Sequence, residues 1–153
     1  VLKDEPRARL TVIGSDPPPL HTVPTYNGAV TMAGFAPDIH VPLARHAVFI
    51  CPILSGSGIR VKLLEAFASG IPAVSTTIGA EGLGDQDGLC CRLADDPAAF
   101  AKAIIDLFAN PSEARAMAGR ARDYVLRQRN MPVLTAELEA TYRRALTGKR
   151  QTS

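Results

Sequence analysis

The stretch from Val48 to Leu83 reads VFICPILSGSGIRVKLLEAFASGIPAVSTTIGAEGL, and it decides the fold. It begins with an apolar run, Val48–Ile53, which suits a buried strand and is followed by a loop rich in glycine and serine. A helical pattern then covers residues 60–69 and ends at Gly70, before a β-branched run that predicts a strand over residues 73–77. The order strand, glycine loop, helix, strand indicates a βαβ unit.

The glycine loop of this unit, Ser55 to Gly58, is a candidate anion site. The backbone N–H groups of such a loop and of the following helix start can bind phosphate. Lys62, Glu65 and Ser69 lie together on the polar side of the helix. Two interpretations remain open from the residues alone. One is a solvated face with a Lys62–Glu65 ion pair, and the other is a nucleotide site in which Arg60 binds a diphosphate and Glu65 a ribose.

The opposite side of this helix is apolar and predicts packing on the sheet. Its members are Val61, Leu63, Leu64, Phe67 and Ala68. Helical spacing of apolar residues is typical of a helix that covers a hydrophobic core.

Strands and helices alternate over the rest of the chain. We predict strands at 8–14, 29–35, 47–53, 73–77 and 89–93, and helices at 39–45, 60–69, 97–109, 113–129 and 133–146. This alternation is typical of an α/β protein with a Rossmann-like, mostly parallel sheet that has helices on both faces. We expect one domain over residues 1–153, with ligands bound where the loops leave the carboxyl ends of the strands.

Composition and cysteine usage favour a cytoplasmic protein. The chain has 153 residues, of which 46% are hydrophobic, and no apolar run approaches the roughly 20 residues that a membrane span needs. Cys51 and the adjacent Cys90 and Cys91 show no CxxC spacing, so we expect free buried thiols and no zinc site. The chain does not begin with Met, which leaves open that it is part of a longer polypeptide.

The charge is unevenly distributed along the chain. The net charge is +2, which is too small to indicate a nucleic-acid partner. Residues 1–110 hold 8 Lys and Arg against 11 Asp and Glu, whereas residues 111–153 hold 9 against 4. The basic C-terminal helices therefore leave open a contact with the inner face of a membrane. A solvated helix surface is the alternative that we favour.

Other polar residues carry weaker signals. The three histidines His21, His40 and His46 have no nucleophile motif beside them and are expected at the surface or in packing roles. Four aspartates, Asp85, Asp87, Asp95 and Asp96, could suggest a metal site. Their glycine-rich or helix-start surroundings favour turns and caps instead, with Asp95 or Asp96 as the N-cap of helix 97–109.

The deciding stretch resembles the donor-binding segment of the retaining glycosyltransferases of family 4, also called group 1, which have the GT-B fold. The matching positions are Gly56, Gly58, Lys62, Glu65, Ala66, Ala68, Gly70, Pro72, Val74, Thr76, Gly79, Glu81 and Gly82. The segments ARLTVIG, VTMAGFAPD and VFICPI also resemble strands of that family's C-terminal domain. The resemblance therefore extends from residue 1 to about residue 130.

The resemblance implies a site for a nucleotide-diphosphate sugar, without a permanently bound cofactor or metal ion. The residues expected around the diphosphate are Gly56, Ser57, Gly58, Ile59, Arg60, Val61 and Lys62. Glu65 is expected to bind the ribose, and Gly34 and Phe35 are expected near the base. Ser57 stands where the family commonly has a sugar-binding glutamate, so the donor sugar stays open and no catalytic residue is identified.

The resemblance further implies a C-terminal domain that lacks its first strand and helix. That strand would lie centrally, between strands 8–14 and 47–53, and a separate N-terminal domain would bind the acceptor. The expected function is donor binding in a retaining enzyme that transfers a hexose-type sugar to a glycan or a lipid-linked acceptor. The fragment alone is expected to be inactive. The alternatives are a GT-B nucleotide-sugar epimerase and a non-catalytic α/β interaction module.

Overall fold

The computed structural model describes residues 1–16, 25–83 and 89–148. Within these ranges the strands are β1 (Leu10–Ile13), β2 (Val30–Gly34), β3 (Phe49–Cys51), β4 (Ala73–Ser75) and β5 (Arg92–Leu93). The helices are α1 (His40–Leu43), α2 (Val61–Ala68), α3 (Pro97–Ala109), α4 (Pro111–Gln128) and α5 (Met131–Gly148). Each element predicted from the sequence has a counterpart here, although every strand is shorter than predicted.

The strands form two parallel sheets. β1 pairs with β2, and β4 lies between β3 and β5, with all pairs parallel. The break falls between β1 and β3, which is where the resemblance placed a further central strand. The ring of His46 bridges it, since Nδ1 lies 2.7 Å from the carbonyl oxygen of Pro42 and Nε2 lies 2.9 Å from the hydroxyl oxygen of Thr11. His46 therefore has the packing role expected for it.

Helices cover both faces of the sheet β3–β4–β5, as predicted. The alternation of side chains along β4 shows this directly, because Ala73 and Val74 belong to different buried clusters. The first cluster packs under α2 and includes the fully buried Leu63 and Phe67. The second packs under α3, where Ile104 contacts the face of Val74. The predicted Rossmann-like α/β architecture is confirmed.

Helix α2 ends as its sequence predicts. Gly70 adopts a φ of +67°, and its N–H donates to the carbonyl of Phe67 while the N–H of Ile71 donates to that of Ala66. This pair of bonds is the Schellman motif, in which glycine takes the left-handed position without steric cost. One assignment on α2 is wrong. Val61 was predicted on the apolar side, and it is exposed because it lies at the helix start, beyond the edge of the core. Ala66 is buried instead.

The two C-terminal helices begin earlier than the predicted 113 and 133, and their predicted ends at 129 and 146 also differ by one or two residues from those observed. Pro111 is the first residue of α4, a position where proline is favourable because its missing N–H would have no helical partner. Pro132 is likewise accommodated in the first turn of α5, where the side chain of Asn130 accepts a hydrogen bond from the N–H of Val133. Pro132 thus lies at the start of the last helix, as the sequence indicates, whereas Pro111 begins a helix where the sequence indicated a break.

Helix α5 exposes most of its surface. Its exposed apolar side chains are Met131, Leu134, Leu138, Tyr142 and Leu146. In the described part of the chain, no helix is both long enough and apolar enough to cross a membrane.

Candidate functional site

The glycine loop connects the carboxyl end of β3 to the start of α2. Gly56 and Gly58 adopt φ values of +108° and +89°, a region that side-chain-bearing residues rarely enter. Residues 54–59 are exposed. Sequence and geometry agree here, because the loop turns sharply where the two glycines permit it.

The start of α2 is open to an anion. Arg60 precedes the helix in an extended conformation, and its side chain does not cap it. The carbonyl of Arg60 accepts hydrogen bonds from the N–H groups of Leu63 and Leu64, at 2.9 and 3.3 Å. The first helical N–H groups, those of Val61 and Lys62, have no carbonyl within the helix to bond. An anion near them is favoured by about 0.3–1 kcal/mol.

The guanidinium of Arg60 is folded back over the glycine loop. Its Nη1 donates to the carbonyl of Ser57 at 3.2 Å. Its Nε and Nη2 are buried and have no hydrogen-bond partner among the described residues. An unsatisfied buried donor costs about 1–3 kcal/mol, and more when it is charged. A Cβ on Gly56 would lie 3.0 Å from Nη2, so the glycine gives the guanidinium room to adopt this position.

Glu65 lies half-buried one turn further along α2. No Lys62–Glu65 ion pair is formed in the part of the chain that the structure describes. The backbone carbonyl of Glu65 is occupied, since it accepts hydrogen bonds from the N–H and the hydroxyl of Ser69. The interpretation of this face as a solvated surface with a Lys62–Glu65 ion pair is therefore not supported, because Lys62 does not bind the carboxylate of Glu65.

A second loop, Thr76–Leu83, lies against the glycine loop. The hydroxyl of Thr76 donates to the carbonyl of Ile53 at 2.5 Å and accepts from the N–H of Gly79 at 2.9 Å. Gly82 has a φ of +77°, and a Cβ there would lie 3.1 Å from Cγ1 of Ile59. The two loops therefore touch at the residue immediately before Arg60.

Gly79 is the tightest position of this second loop. A Cβ on it would lie 2.4 Å from Oγ of Ser75 and 2.8 Å from the carbonyl oxygen of Cys51. No side chain fits at those distances. The glycine at this place in the motif is explained by close approach to the ends of β3 and β4.

Asp95 anchors the start of the second loop from the end of β5. Its carboxylate accepts hydrogen bonds from the N–H and the hydroxyl of Thr77, at 2.8 and 2.7 Å. These two bonds lower the pKa of Asp95, because they stabilise the ionised carboxylate. Asp96, and not Asp95, is the N-cap of α3, since its side chain accepts from the N–H groups of Ala98 and Ala99. Both aspartates thus have structural partners.

Gly34 and Phe35 lie at the end of β2, on the other sheet. Gly34 has a φ of +71°, and its carbonyl accepts from the N–H of Gly14 at 2.9 Å. Phe35 is 71% exposed. Neither lines the apolar depression of about 480 Å³ that residues 36–38 form with the region of α1. Within the described ranges, no hydrogen bond joins these two residues to the glycine loop, so the structure leaves their assignment to the base as a prediction.

The remaining candidates carry no site in the described ranges. His21, Asp85 and Asp87 lie outside the described residues. Among the residues that are described, no group of three or more His, Cys, Asp or Glu side chains could hold a metal ion. Burial raises the pKa of the Cys51 thiol, which disfavours the reactive thiolate.

Sequence reasoning missed two residues beside the site. Tyr124 and Arg129, near the end of α4, both contact the second loop. The excess of basic residues after position 110 is the one sequence signal for Arg129, and it does not say which arginine bonds which carbonyl. Tyr124 has no such signal. Both residues lie more than 40 residues from their partners, so local patterns carry no information about the contact.

Comparison with known proteins identifies the family. A model of the family described as "Glycosyl transferases group 1" matches residues 1–110. The chain belongs to this family. The glycosyltransferase resemblance stated from the sequence motif is therefore confirmed.

One related sequence is the "Uncharacterized 44.6 kDa protein in cps region" of Klebsiella pneumoniae. The present chain is 29% identical to it over 133 residues, which are 82% of the chain and 34% of the relative. The chain thus spans about a third of the length of that relative.

Three solved structures share the fold. The sucrose-phosphate synthase of Thermosynechococcus elongatus matches with a TM-score of 0.79 and 22% identity over 96% of this chain and 41% of its own. HepE of Anabaena in complex with UDP matches with a TM-score of 0.71 and 18% identity, over 92% of this chain and 41% of its own. The C-terminal domain of the group 1 family protein LpcC from Francisella tularensis matches with a TM-score of 0.67 and 18% identity, over 85% of this chain and 74% of its own. At these identities the likeness shows the fold alone.

Proposed function

We propose that this group 1 glycosyltransferase chain binds the nucleotide-diphosphate sugar donor of a larger retaining enzyme. The observation that carries the proposal is the guanidinium of Arg60, which has two buried, unpartnered donors and lies over the glycine loop at the open start of α2. A diphosphate supplies the oxygens and the negative charge that this arrangement lacks. A solvated loop gives no reason for burying those donors.

Each side chain of the proposed site has a defined role. The N–H groups from Gly56 to Lys62 and the charge of Arg60 bind the diphosphate, while Glu65 accepts hydrogen bonds from the ribose hydroxyls. Gly34 and Phe35 lie near the base. Such a site contributes to catalysis by orienting the donor and by stabilising the charge of the departing diphosphate. The solved structures of HepE with UDP and with UDP-glucose support this donor class by analogy.

The finer parts of the proposal concern the sugar, the acceptor and the location. We propose a hexose-type donor, a glycan or lipid-linked acceptor bound by a separate N-terminal domain, and reaction in the cytoplasm at the inner face of a membrane. The basic helices after residue 110 supply the charge for that membrane contact. Ser57 would lie near the donor sugar in place of a carboxylate.

Calorimetric titration with UDP, GDP and ADP tests the site on the wild type and on Glu65→Gln. We expect one nucleotide to bind, and Glu65→Gln to weaken it about tenfold or more, because the amide loses the charge that strengthens its bonds to the ribose. Glu137→Gln is the matched control, since Glu137 is an exposed glutamate of α5. Equal affinity of Glu65→Gln and wild type contradicts the ribose role. Absence of binding to all three nucleotides contradicts the donor site as a whole.

Product analysis separates the proposed transferase from the epimerase alternative. A transferase consumes the nucleotide sugar in the presence of acceptor and releases the nucleoside diphosphate. An epimerase-like enzyme converts the sugar without acceptor. The interaction module instead predicts no nucleotide binding and salt-sensitive binding to anionic vesicles.

A further inference from the structure

The second loop, Thr76–Leu83, is attached at both of its ends. At its start, Thr76 bonds the carbonyl of Ile53, and Thr77 bonds the carboxylate of Asp95. At its end, the attachments come from α4. The hydroxyl of Tyr124 donates to the carbonyl of Leu83, and Nη2 of Arg129 donates to the carbonyl of Gly82 at 3.1 Å.

Tyr124 and Arg129 act as one unit. Nε of Arg129 donates to the hydroxyl oxygen of Tyr124 at 2.7 Å, and the guanidinium lies 5.6 Å from the centre of the tyrosine ring. Nη2 of Arg129 also lies 3.3 Å from the carbonyl oxygen of Leu83. The rigid, forked guanidinium can bond a hydroxyl and two carbonyls at once, which a lysine ammonium on a flexible stem does less well. We call this unit the Tyr124–Arg129 latch.

The latch acts on the candidate site through Gly82. The backbone of Gly82 passes so close to Ile59 that a Cβ on Gly82 would lie 3.1 Å from its side chain and 4.0 Å from its backbone nitrogen. Ile59 is followed by Arg60 and by the open start of α2. A displacement of Gly82 therefore changes the packing against Ile59, which directly precedes the N–H groups proposed to bind the diphosphate.

We propose that Tyr124 and Arg129 are positioning residues of the donor site. They hold residues 80–83 against Ile59, so that the end of the glycine loop keeps one geometry before the donor binds. This inference rests on the proposed function for its ligand. Neither residue touches the donor in this proposal, and both act through the carbonyls of Gly82 and Leu83. A preorganised loop lowers the ordering cost of binding.

Arg120 offers a matched control on the same helix. Its Nε donates to the carbonyl of Leu89 at 2.9 Å, so it also ties α4 to a distant backbone carbonyl. Its carbonyl partner is not part of the second loop. Arg120 also forms an ion pair with Glu113 at 3.0 Å. Arg120→Gln and Arg129→Gln thus each remove a bond to a distant backbone carbonyl, and only the second removes one next to the candidate site.

The test combines calorimetric titration with UDP, GDP and ADP, hydrogen exchange and thermal unfolding. We expect Arg129→Gln to weaken the binding of the preferred nucleotide about tenfold and to speed amide exchange at residues 59–61 and 80–83. Arg120→Gln should lower thermal stability as much as Arg129→Gln does. It should change neither the nucleotide affinity nor the amide exchange at residues 59–61 and 80–83. Arg129→Lys should recover part of the affinity, and Tyr124→Phe should repeat the effect more weakly.

The outcomes separate the latch from the proposed function. If Arg129→Gln and Arg120→Gln have the same affinity and the same exchange at residues 59–61, the latch is refuted. If Arg129→Gln does not fold, Tyr124→Phe decides by the same two measurements. If even the wild type binds none of the three nucleotides, the proposed function fails, and exchange at residues 59–61 then decides alone whether the latch positions this loop.

Discussion

The two loops beside the candidate site differ in how their polar groups are satisfied. The glycine loop and Arg60 leave donors unpartnered, including two buried nitrogens of the guanidinium. The Thr76–Leu83 loop is bonded to Ile53 after β3, to Asp95 and to Arg129 at the end of α4. A protein that leaves buried donors unsatisfied loses stability, and a fully bonded loop gains it. The difference agrees with the proposal that the first loop binds a ligand, and it makes the second loop the more rigid of the two.

The largest effect is expected from forcing a side chain into the rigid loop. Gly79→Ala places a Cβ 2.4 Å from Oγ of Ser75 and 2.8 Å from a backbone carbonyl of β3, so the loop must move. We expect the free energy of unfolding to fall by about 3 kcal/mol, at the upper end of overpacking costs. Denaturant unfolding measures this change.

Gly119→Ala is the control for that substitution. Gly119 lies in α4, and a Cβ there meets nothing within 4 Å. Alanine is favoured over glycine in a helix by up to about 1 kcal/mol, so this variant should be more stable than wild type. Equal effects of the two substitutions would contradict the close approach at Gly79.

The next largest effect is expected at Arg60, which lies over the glycine loop. Arg60→Met keeps much of the side-chain volume and removes the unpartnered donors. We expect the free energy of unfolding to stay equal or to rise by about 1 kcal/mol, because two buried nitrogens without hydrogen-bond partners are removed. Nucleotide affinity should fall about tenfold or more with the lost charge. A variant that is destabilised and binds nucleotide normally would show that Arg60 is structural.

The smallest effect concerns the exposed anchor of the rigid loop. The pKa of Asp95 is lowered in the folded state from its ordinary value of 3.8, so its ionised form stabilises the fold. This contribution is present above that ordinary value and is lost as the pH falls through the lower, folded-state pKa. Asp95→Asn should therefore lower the thermal midpoint slightly at pH 7 and not in strong acid. Asp4→Asn is the control, since Asp4 is exposed and its carboxylate forms no ion pair among the described residues.

The sequence was sufficient for the architecture because local patterns determine it. Alternating strand and helix signals predicted the parallel sheet, and the two glycines near Arg60 predicted the sharp turn before α2. The strands are shorter than predicted because an apolar run continues beyond the residues that pair, as Ile53 does after β3. The start of α4 was predicted two residues late, at 113, because a proline such as Pro111 breaks a helix interior and yet begins a helix well.

The site was predictable only where its residues are close in sequence. Gly56, Arg60 and Glu65 share one loop and helix, so their placement follows from the βαβ unit. The folding of the Arg60 guanidinium over the loop is a rotamer choice that no pattern encodes. Arg129 and Gly82 are 47 positions apart in the sequence, so their contact depends on how α4 packs in the fold.

Helix α4 has a consequence for the way the protein unfolds. Its first half, with Ala114 and Met117, completes one buried cluster, and its second half, with Ala121, completes the other. Helix α4 thus packs against both buried clusters, and neither cluster can become exposed while α4 stays in place. The β3–β5 half is therefore expected to melt as one cooperative unit. The β1–β2 pair lies outside both clusters and is expected to open as a separate unit at lower cost.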